Sequence, residues 1–319
     1  MPNPIRFDTK IILAKIEATY GTDPTPTGAA NAMLMKNVEI RPMEGQDVSR
    51  NIERPYMGAQ EQFPAGLYSV LTGSVELVGS GSTGVAPAWG PLMRACGVAE
   101  VVTADAVPGD GSGTVKYNPV TNNHESVCLH YYVGGTRHIL KGCRGTAELS
   151  CNAQGIPEAK FTLTGLFSIP TEQTRPTPTL TGFQVPSVVS QANTPIFTID
   201  GISLVMNSVT FNLGGSVAPR LWIGREAVII TDRAESIAAK VEAVPLTTFD
   251  PFTKANTRAR VAFALQHGTT AGKRVKVEAG SCAVNRLSGY ENSQNILEWP
   301  LQLTPQPTAG DDQWLLTLS

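Results

Sequence analysis

Ser69-Val70-Leu71-Thr72-Gly73-Ser74-Val75-Glu76-Leu77-Val78 and Ser236-Ile237-Ala238-Ala239-Lys240-Val241-Glu242-Ala243-Val244 read as one segment written twice, with one gap between them. Around the first copy, residues 74–78 form an expected strand. Each copy is followed by a short expected helix, at 87–96 and at 248–256, and each helix by strands. The last strands of the two series compare as 156–164 and 295–304. Within the first of these, Phe161-Thr162-Leu163-Thr164 alternates with the period of two that a half-buried strand requires. Further strands are expected at 33–43, 114–117, 127–133, 138–149 and 158–167. Lys10 to Thr19 suits either a strand or a short helix, since periodicity alone does not separate them. Between the series lies Ile169-Pro170-Thr171-Glu172-Gln173-Thr174-Arg175-Pro176-Thr177-Pro178-Thr179-Leu180-Thr181, whose prolines make a stiff extended connection. The chain is therefore expected to be mainly β, with one domain over 1–168, a linker over 169–181 and a second domain over 182–319.

Composition agrees with many short strands joined by turns. Gly (30) and Pro (23) are plentiful and β-branched residues recur throughout. Charged residues make up 16% of the 319, well below the usual quarter, which leaves much uncharged surface and suits a protein packed against its own copies. The formal net charge of −2 draws the chain to neither nucleic acid nor an acidic membrane. No apolar run approaches the roughly 20 residues of a membrane span. Met1-Pro2-Asn3-Pro4-Ile5-Arg6 lacks the basic-then-apolar layout of a secretory leader, so folding in the cytoplasm of the producing cell is expected.

Residues 45–66 stand apart. They carry Arg50, Glu53, Arg54 and Glu61 among Pro55, Gly58 and Pro64 without a sustained period, yet include Ile52, Tyr56, Met57 and Phe63. Loops of this length without structure of their own are functional or disordered, and so many apolar residues argue against free disorder. The segment is expected to order against a neighbouring subunit. In the second series the same place holds only a short connection around 214–225.

Motifs for chemistry are weak. Gly79-Ser80-Gly81-Ser82-Thr83-Gly84 matches the dinucleotide-binding pattern G-x-G-x-x-G, with Glu100 near the place of a ribose-binding acid. In that fold the glycines sit inside the strand-to-helix turn, whereas Val85-Ala86-Pro87 delays the helix here, and strands do not alternate with amphipathic helices. A loop of small residues is expected instead. The histidines His124, His130, His138 and His267 have no metal-binding spacing, although His130 and His138 fall in strands and could be neighbours. The five cysteines contain no C-x-x-C pair and read as buried thiols. Lys273-Arg274-Val275-Lys276 has no aromatic interleaving and reads as a solvated strand end. No catalytic, cofactor or metal residue is assigned, and no enzyme activity is expected.

One stretch has a familiar look. Ile16-Glu17-Ala18-Thr19-Tyr20-Gly21-Thr22-Asp23-Pro24-Thr25-Pro26, continuing through Asn31-Ala32-Met33-Leu34-Met35-Lys36-Asn37-Val38-Glu39-Ile40, resembles the start of major tail tube proteins of long-tailed, siphovirus-type bacteriophages. The resemblance covers about the first hundred residues and implies tube-type β-sandwich domains with a short flanking helix, whose strands join those of neighbours into a ring-shaped β-barrel. It implies a virion protein, made and assembled in the host bacterial cytoplasm, that stacks its rings into a tube for genome delivery. It implies rings of six such domains, supplied by three chains with pseudo-sixfold symmetry if each chain carries two domains, or by six chains in a hexameric ring. Implied partners are the chain itself, the tail terminator and distal tail proteins, and the tape measure protein and transiting DNA in the lumen, with no membrane and no cofactor. Arg50, Arg54, Tyr56, Met57 and Phe63 are the expected inter-ring contacts. The alternative is another virion β-sandwich component, such as a tail terminator, decoration or adhesin-like protein.

Overall fold

Val127-Cys128-Leu129-His130-Tyr131-Tyr132-Val133 has no polar alternation, and it forms a strand whose first six residues are all buried, with a partner on either side. A run of this kind is stable only when both faces are covered. The computed structural model describes residues 4–107 and 109–319; Met1 to Asn3, part of the stretch read for a leader, lie outside the described residues. In chain order the first half contains β1 (Lys10–Ile16), α1 (Gly28–Asn31), β2 (Ala32–Met33), β3 (Lys36–Ser49), β4 (Gln62–Glu76), α2 (Gly90–Arg94), β5 (Val98–Thr103), β6 (Thr114–Pro119), β7 (Val127–Val133), β8 (Thr136–Asn152) and β9 (Glu158–Leu166). Then come β10 (Thr171–Glu172), β11 (Ile196–Ile199), β12 (Ile202–Ser203), β13 (Met206–Asn212), β14 (Gly215–Trp222), β15 (Arg225–Arg233), β16 (Ser236–Glu242), α3 (Pro251–Thr257), β17 (Arg260–His267), β18 (Val275–Val284), β19 (Glu291–Ser293), β20 (Ile296–Pro305) and β21 (Leu315–Leu318). The protein is mainly β, and Lys10 to Ile16 is strand rather than helix.

The same series of antiparallel neighbours occurs twice. It runs β1, β7, β8, β9, β4, β3 in the first half and β11, β17, β18, β20, β16, β13 in the second. Register and irregularities recur with it. Val127 faces Cys143 and, beyond a bulge, Leu129 faces Leu140; Val261 faces Cys282 and, beyond a bulge, Phe263 faces Ala279. Each cysteine donates its thiol hydrogen to the carbonyl three residues back, at 3.3 Å (Leu140) and 3.8 Å (Ala279). A polar pair is matched as well: Lys36 Nζ donates to Glu158 and Asn207 Nδ2 to Glu298, each at 2.9 Å. A bulge is a built feature of a sheet, so its recurrence carries more weight than the thin identity of letters.

The two series are joined edge to edge. β8 is long enough to serve both, pairing through its start with β7 and through Glu148–Asn152 with β13, where Leu149 faces Phe211 and Cys151 faces Val209. At the other end β21 bridges β18 and β6, with Leu316 opposite both Val277 and Tyr117. One buried cluster consequently runs through both halves, from Ile12 and Trp89 to Phe263 and Trp314. Residues 169–181 lie extended against the first half, where Thr179 N–H donates to the Gly28 carbonyl at 2.9 Å and β10 pairs with the start of β8.

Several expectations need correction. Residues 45–66 are not a long irregular loop: β3 reaches Ser49 and β4 begins at Gln62, leaving only 50–61 outside the strands. Pro42 and Gly45 masked this, since both weaken a strand pattern; the ladder accommodates them by register shifts between Arg41 and Gln46. The connection at 214–225 is not short, because β14 and β15 form a second hairpin there. The helix expected at 87–96 spans only Gly90–Arg94, while Pro87 closes a turn by accepting from Gly90 N–H. The second helix begins at Pro251, capped by Asp250, whose Oδ1 accepts from Phe252 and Thr253 N–H at 2.9 and 3.0 Å.

Candidate assembly surfaces

The β3–β4 hairpin carries all five residues expected to make inter-ring contacts. Phe63 faces Val48 across the ladder, and both are about half exposed. Beyond them Arg50 approaches Glu61 at 3.5 Å, and Gln60 clamps Ile52 by accepting from its N–H and donating to its carbonyl, each at 2.7 Å. The tip is thus held as a shaped turn. Arg54, Tyr56 and Met57 project from it, Tyr56 at 66% and Met57 at 98% exposure. Large apolar side chains so fully in water are the mark of an interaction site when they cluster.

The β14–β15 hairpin, which the sequence reading missed, presents a second apolar tip. Trp222 is 62% exposed with the Arg220 guanidinium stacked 3.5 Å over its ring, and Ile223 is entirely in water. The base of this hairpin is pinned to the first half. Val228 N–H donates to Tyr20 Oη at 2.6 Å, and its carbonyl accepts from Arg144 Nη1 at 2.9 Å. Arg144 also donates to the carbonyls of Glu125 and His124, at 3.2 and 2.6 Å, and lies 4.9 Å over the Tyr20 ring. Tyr20 reaches this place because Gly142 is at φ +60; a Cβ there would stand 2.6 Å from the Tyr20 hydroxyl.

The motifs weighed for chemistry resolve into structure. Gly79 abuts the 268–274 turn so closely that a Cβ would come within 2.2 Å of the Gly272 carbonyl, while Gly81 N–H donates to that same oxygen at 3.0 Å. These glycines let two backbones touch, and the helix that follows starts at Gly90, too late to face a phosphate. Glu100 accepts from Tyr117 Oη at 2.6 Å and faces Arg94 at 3.6 Å, so its carboxylate is fully employed.

His130 and His138 do not meet, because they sit on opposite faces; His138 lies opposite Tyr131 instead. His130 meets Asp23, both carboxylate oxygens lying 3.0 Å from Nε2, with the Cys128 thiol 3.6 Å from the same carboxylate. Burial pushes the His130 pKa down in spite of Asp23, and pushes that of Cys128 up. A neutral imidazole and a protonated thiol around one carboxylate form a hydrogen-bonded knot that ties the 17–27 turn to β7. All five cysteines are free and buried.

A family model described as phage tail tube protein matches residues 8–312, nearly the whole chain. The chain belongs to the phage tail tube protein family. No curated protein matches it. Membership makes it a structural component of the virion tail rather than an enzyme, one that self-assembles into a tube together with other tail components. The extensive β-structure is that of a tail-tube β-sandwich, and among the described residues no helix is long and apolar enough to cross a membrane.

Proposed function

We propose that the chain builds the tail tube as stacked rings around a channel for the viral genome, with three copies closing each ring by supplying two tube-type units apiece. The units are 1–168 and 182–319, with 169–181 between them. One observation carries this reading: the order of neighbours, the bulge opposite each cysteine and the Lys36–Glu158 and Asn207–Glu298 pairs are laid out twice in one chain. Joining the units edge to edge, as β8 and β13 are joined, leaves an edge at either end of the series, and closed rings satisfy such edges.

Arg50, Arg54, Tyr56, Met57 and Phe63 at the β3–β4 hairpin are proposed to seat on the adjacent ring, burying apolar surface there. The channel is proposed to hold the tape measure protein and then pass DNA, with the tail terminator and distal tail proteins at its ends. Acidic residues (27) slightly outnumber basic ones (25), which suits a wall that must not retain phosphates. Assembly is proposed to take place in the host bacterial cytoplasm. Negative-stain microscopy of concentrated protein, with native mass spectrometry of single rings, tests the reading. Open-ended tubes and a three-chain ring mass are expected; six chains per ring would refute the pairing of units, and a persistent monomer would refute tube building.

A further inference from the structure

The joint between the two halves is a template for the joint between two copies. Inside the chain the outer edge of β13 receives Glu148–Asn152 of β8, with Val209 opposite Cys151, Thr210 opposite Ser150 and Phe211 opposite Leu149. In the repeated series β3 takes the place of β13: Val38, Glu39 and Ile40 stand on β4 as Val209, Thr210 and Phe211 stand on β16, since Ile40 faces Leu71 and Phe211 faces Ile237. Among the described residues β3 pairs with β4 alone, so its outer edge has no strand against it. Beside that edge is an open groove of about 590 Å³ lined by apolar side chains such as Ile12, Met33 and Leu180 and by Lys10 and Glu39. Lys10 Nζ donates to the Val38 carbonyl at 2.9 Å, a place an added strand would take over. At the internal joint the cavity lined by Leu149, Cys151, Val209 and Phe211 is only about 30 Å³.

The counterpart of Glu148–Asn152 is found by using the neighbouring strand as a ruler. Ser150 faces Glu158 on β9; Glu291 faces Glu298 on β20, and Glu158 and Glu298 are the acceptors of the matched polar pairs. Glu291 therefore corresponds to Ser150, Tyr290 to Leu149 and Asn292 to Cys151. Where β8 continues unbroken, the chain after Val284 leaves the ladder and rejoins it at Glu291, and β19 pairs with β20 alone among the described residues. The segment also displays apolar side chains to solvent: Tyr290, its ring edge-on to Phe252 with centroids 6.5 Å apart, is 62% exposed, Ile296 49% and Leu297 48%.

We infer that Tyr290–Ser293 of one copy adds as an antiparallel strand to the outer edge of β3 in the next, with Val38 opposite Asn292, Glu39 opposite Glu291 and Ile40 opposite Tyr290. The Tyr290 ring enters the groove as Leu149 enters the internal joint. Charge is balanced at the one carboxylate pair, because Lys240 already holds Glu291 at 2.6 Å and Arg41 lies one diagonal step away on β3. The inference rests on the ring-building reading and specifies which edges it uses.

Facing positions of an antiparallel pair lie within disulfide reach, and the native thiols are all buried, so the double variant Glu39→Cys/Glu291→Cys tests the register directly. Mild oxidation of assembled rings is expected to convert most of the protein to species two and three chains in mass, lost on reduction and absent from either single variant. Rings that assemble but stay uncrosslinked, while Glu39→Cys crosslinks to a distant site such as Glu226→Cys, would overturn the register and leave ring building intact. Wild-type protein that forms no rings at any concentration would overturn both.

Discussion

Arg144 is a single side chain on which three backbone carbonyls depend, those of His124, Glu125 and Val228. A buried acceptor stripped of a charged donor costs about 1–3 kcal/mol. Of these three only Val228 is a buried residue, so Arg144→Met is expected to lower stability by about 1–3 kcal/mol, read as a drop in denaturation midpoint. The loss should loosen the β14–β15 hairpin first, visible as faster amide exchange at Val228. The histidines set a pH dependence. Burial holds His130 and His267 below the ordinary value of 6.5, so the folded chain binds fewer protons than the unfolded one. Their contribution is complete above about pH 6.5 and is lost as pH falls toward their depressed folded values. Melting temperature should decline between pH 7.5 and 5, and His267→Gln should flatten the decline; a flat wild-type profile would contradict the assignment. The depressed carboxylates Asp105, Asp250 and Asp311 act in a lower window, below 3.8, and do not confuse the test. None of these roles was legible in the letters, because Arg144, Tyr20 and Val228 meet only through a fold that brings residues far apart in sequence together. Glycines fared better: Gly79 and Gly81 were read as a loop rather than a nucleotide site, and the touching backbones supply the reason.

At the scale of elements, legibility followed burial. β7 was delimited correctly because its continuous apolar run could sit only between two strands, and β9 because Phe161 and Leu163 face the core while Lys160 and Thr162 do not. The ends of β3 and the β14–β15 hairpin escaped notice because they stand largely in solvent, where alternation has little core to answer to; in β15 only Ala227 and Val228 are buried. Pro219 in β14 further disguises that strand, and it is tolerated there because β14 pairs with β15 alone among the described residues. Gly79→Ala is expected to destabilise by about 1–3 kcal/mol, since a methyl group has no room against the Gly272 carbonyl; a neutral result in a urea titration would mean the two turns separate freely. Replacing residues 51–60 with a two-residue turn should leave the melt unchanged, because the tip packs against nothing in its own chain. On the proposed role of the hairpin, such protein forms rings that fail to stack into tubes, as microscopy would show.

For the molecule as a whole, the decisive contacts cross the middle of the sequence: β13 on β8, and β21 on β6. Residues 1–168 and 182–319 expressed separately should each expose an unpaired edge and aggregate, whereas co-expression should restore a soluble complex; two soluble, independently melting fragments would contradict this. Calorimetry of the intact chain should give a single transition, as one continuous core implies. The two hairpins of the chain are unequal: counted between the matched positions Ile40/Leu71 and Phe211/Ile237, the first arm holds 30 residues (41–70) and the second 25 (212–236). In a three-chain ring they would alternate, long arm and short arm, around the rim. On the proposed three-chain ring, such notches would let one ring seat on the next only in steps of a third of a revolution and not of a sixth, so the difference between the arms would key the rotation from ring to ring.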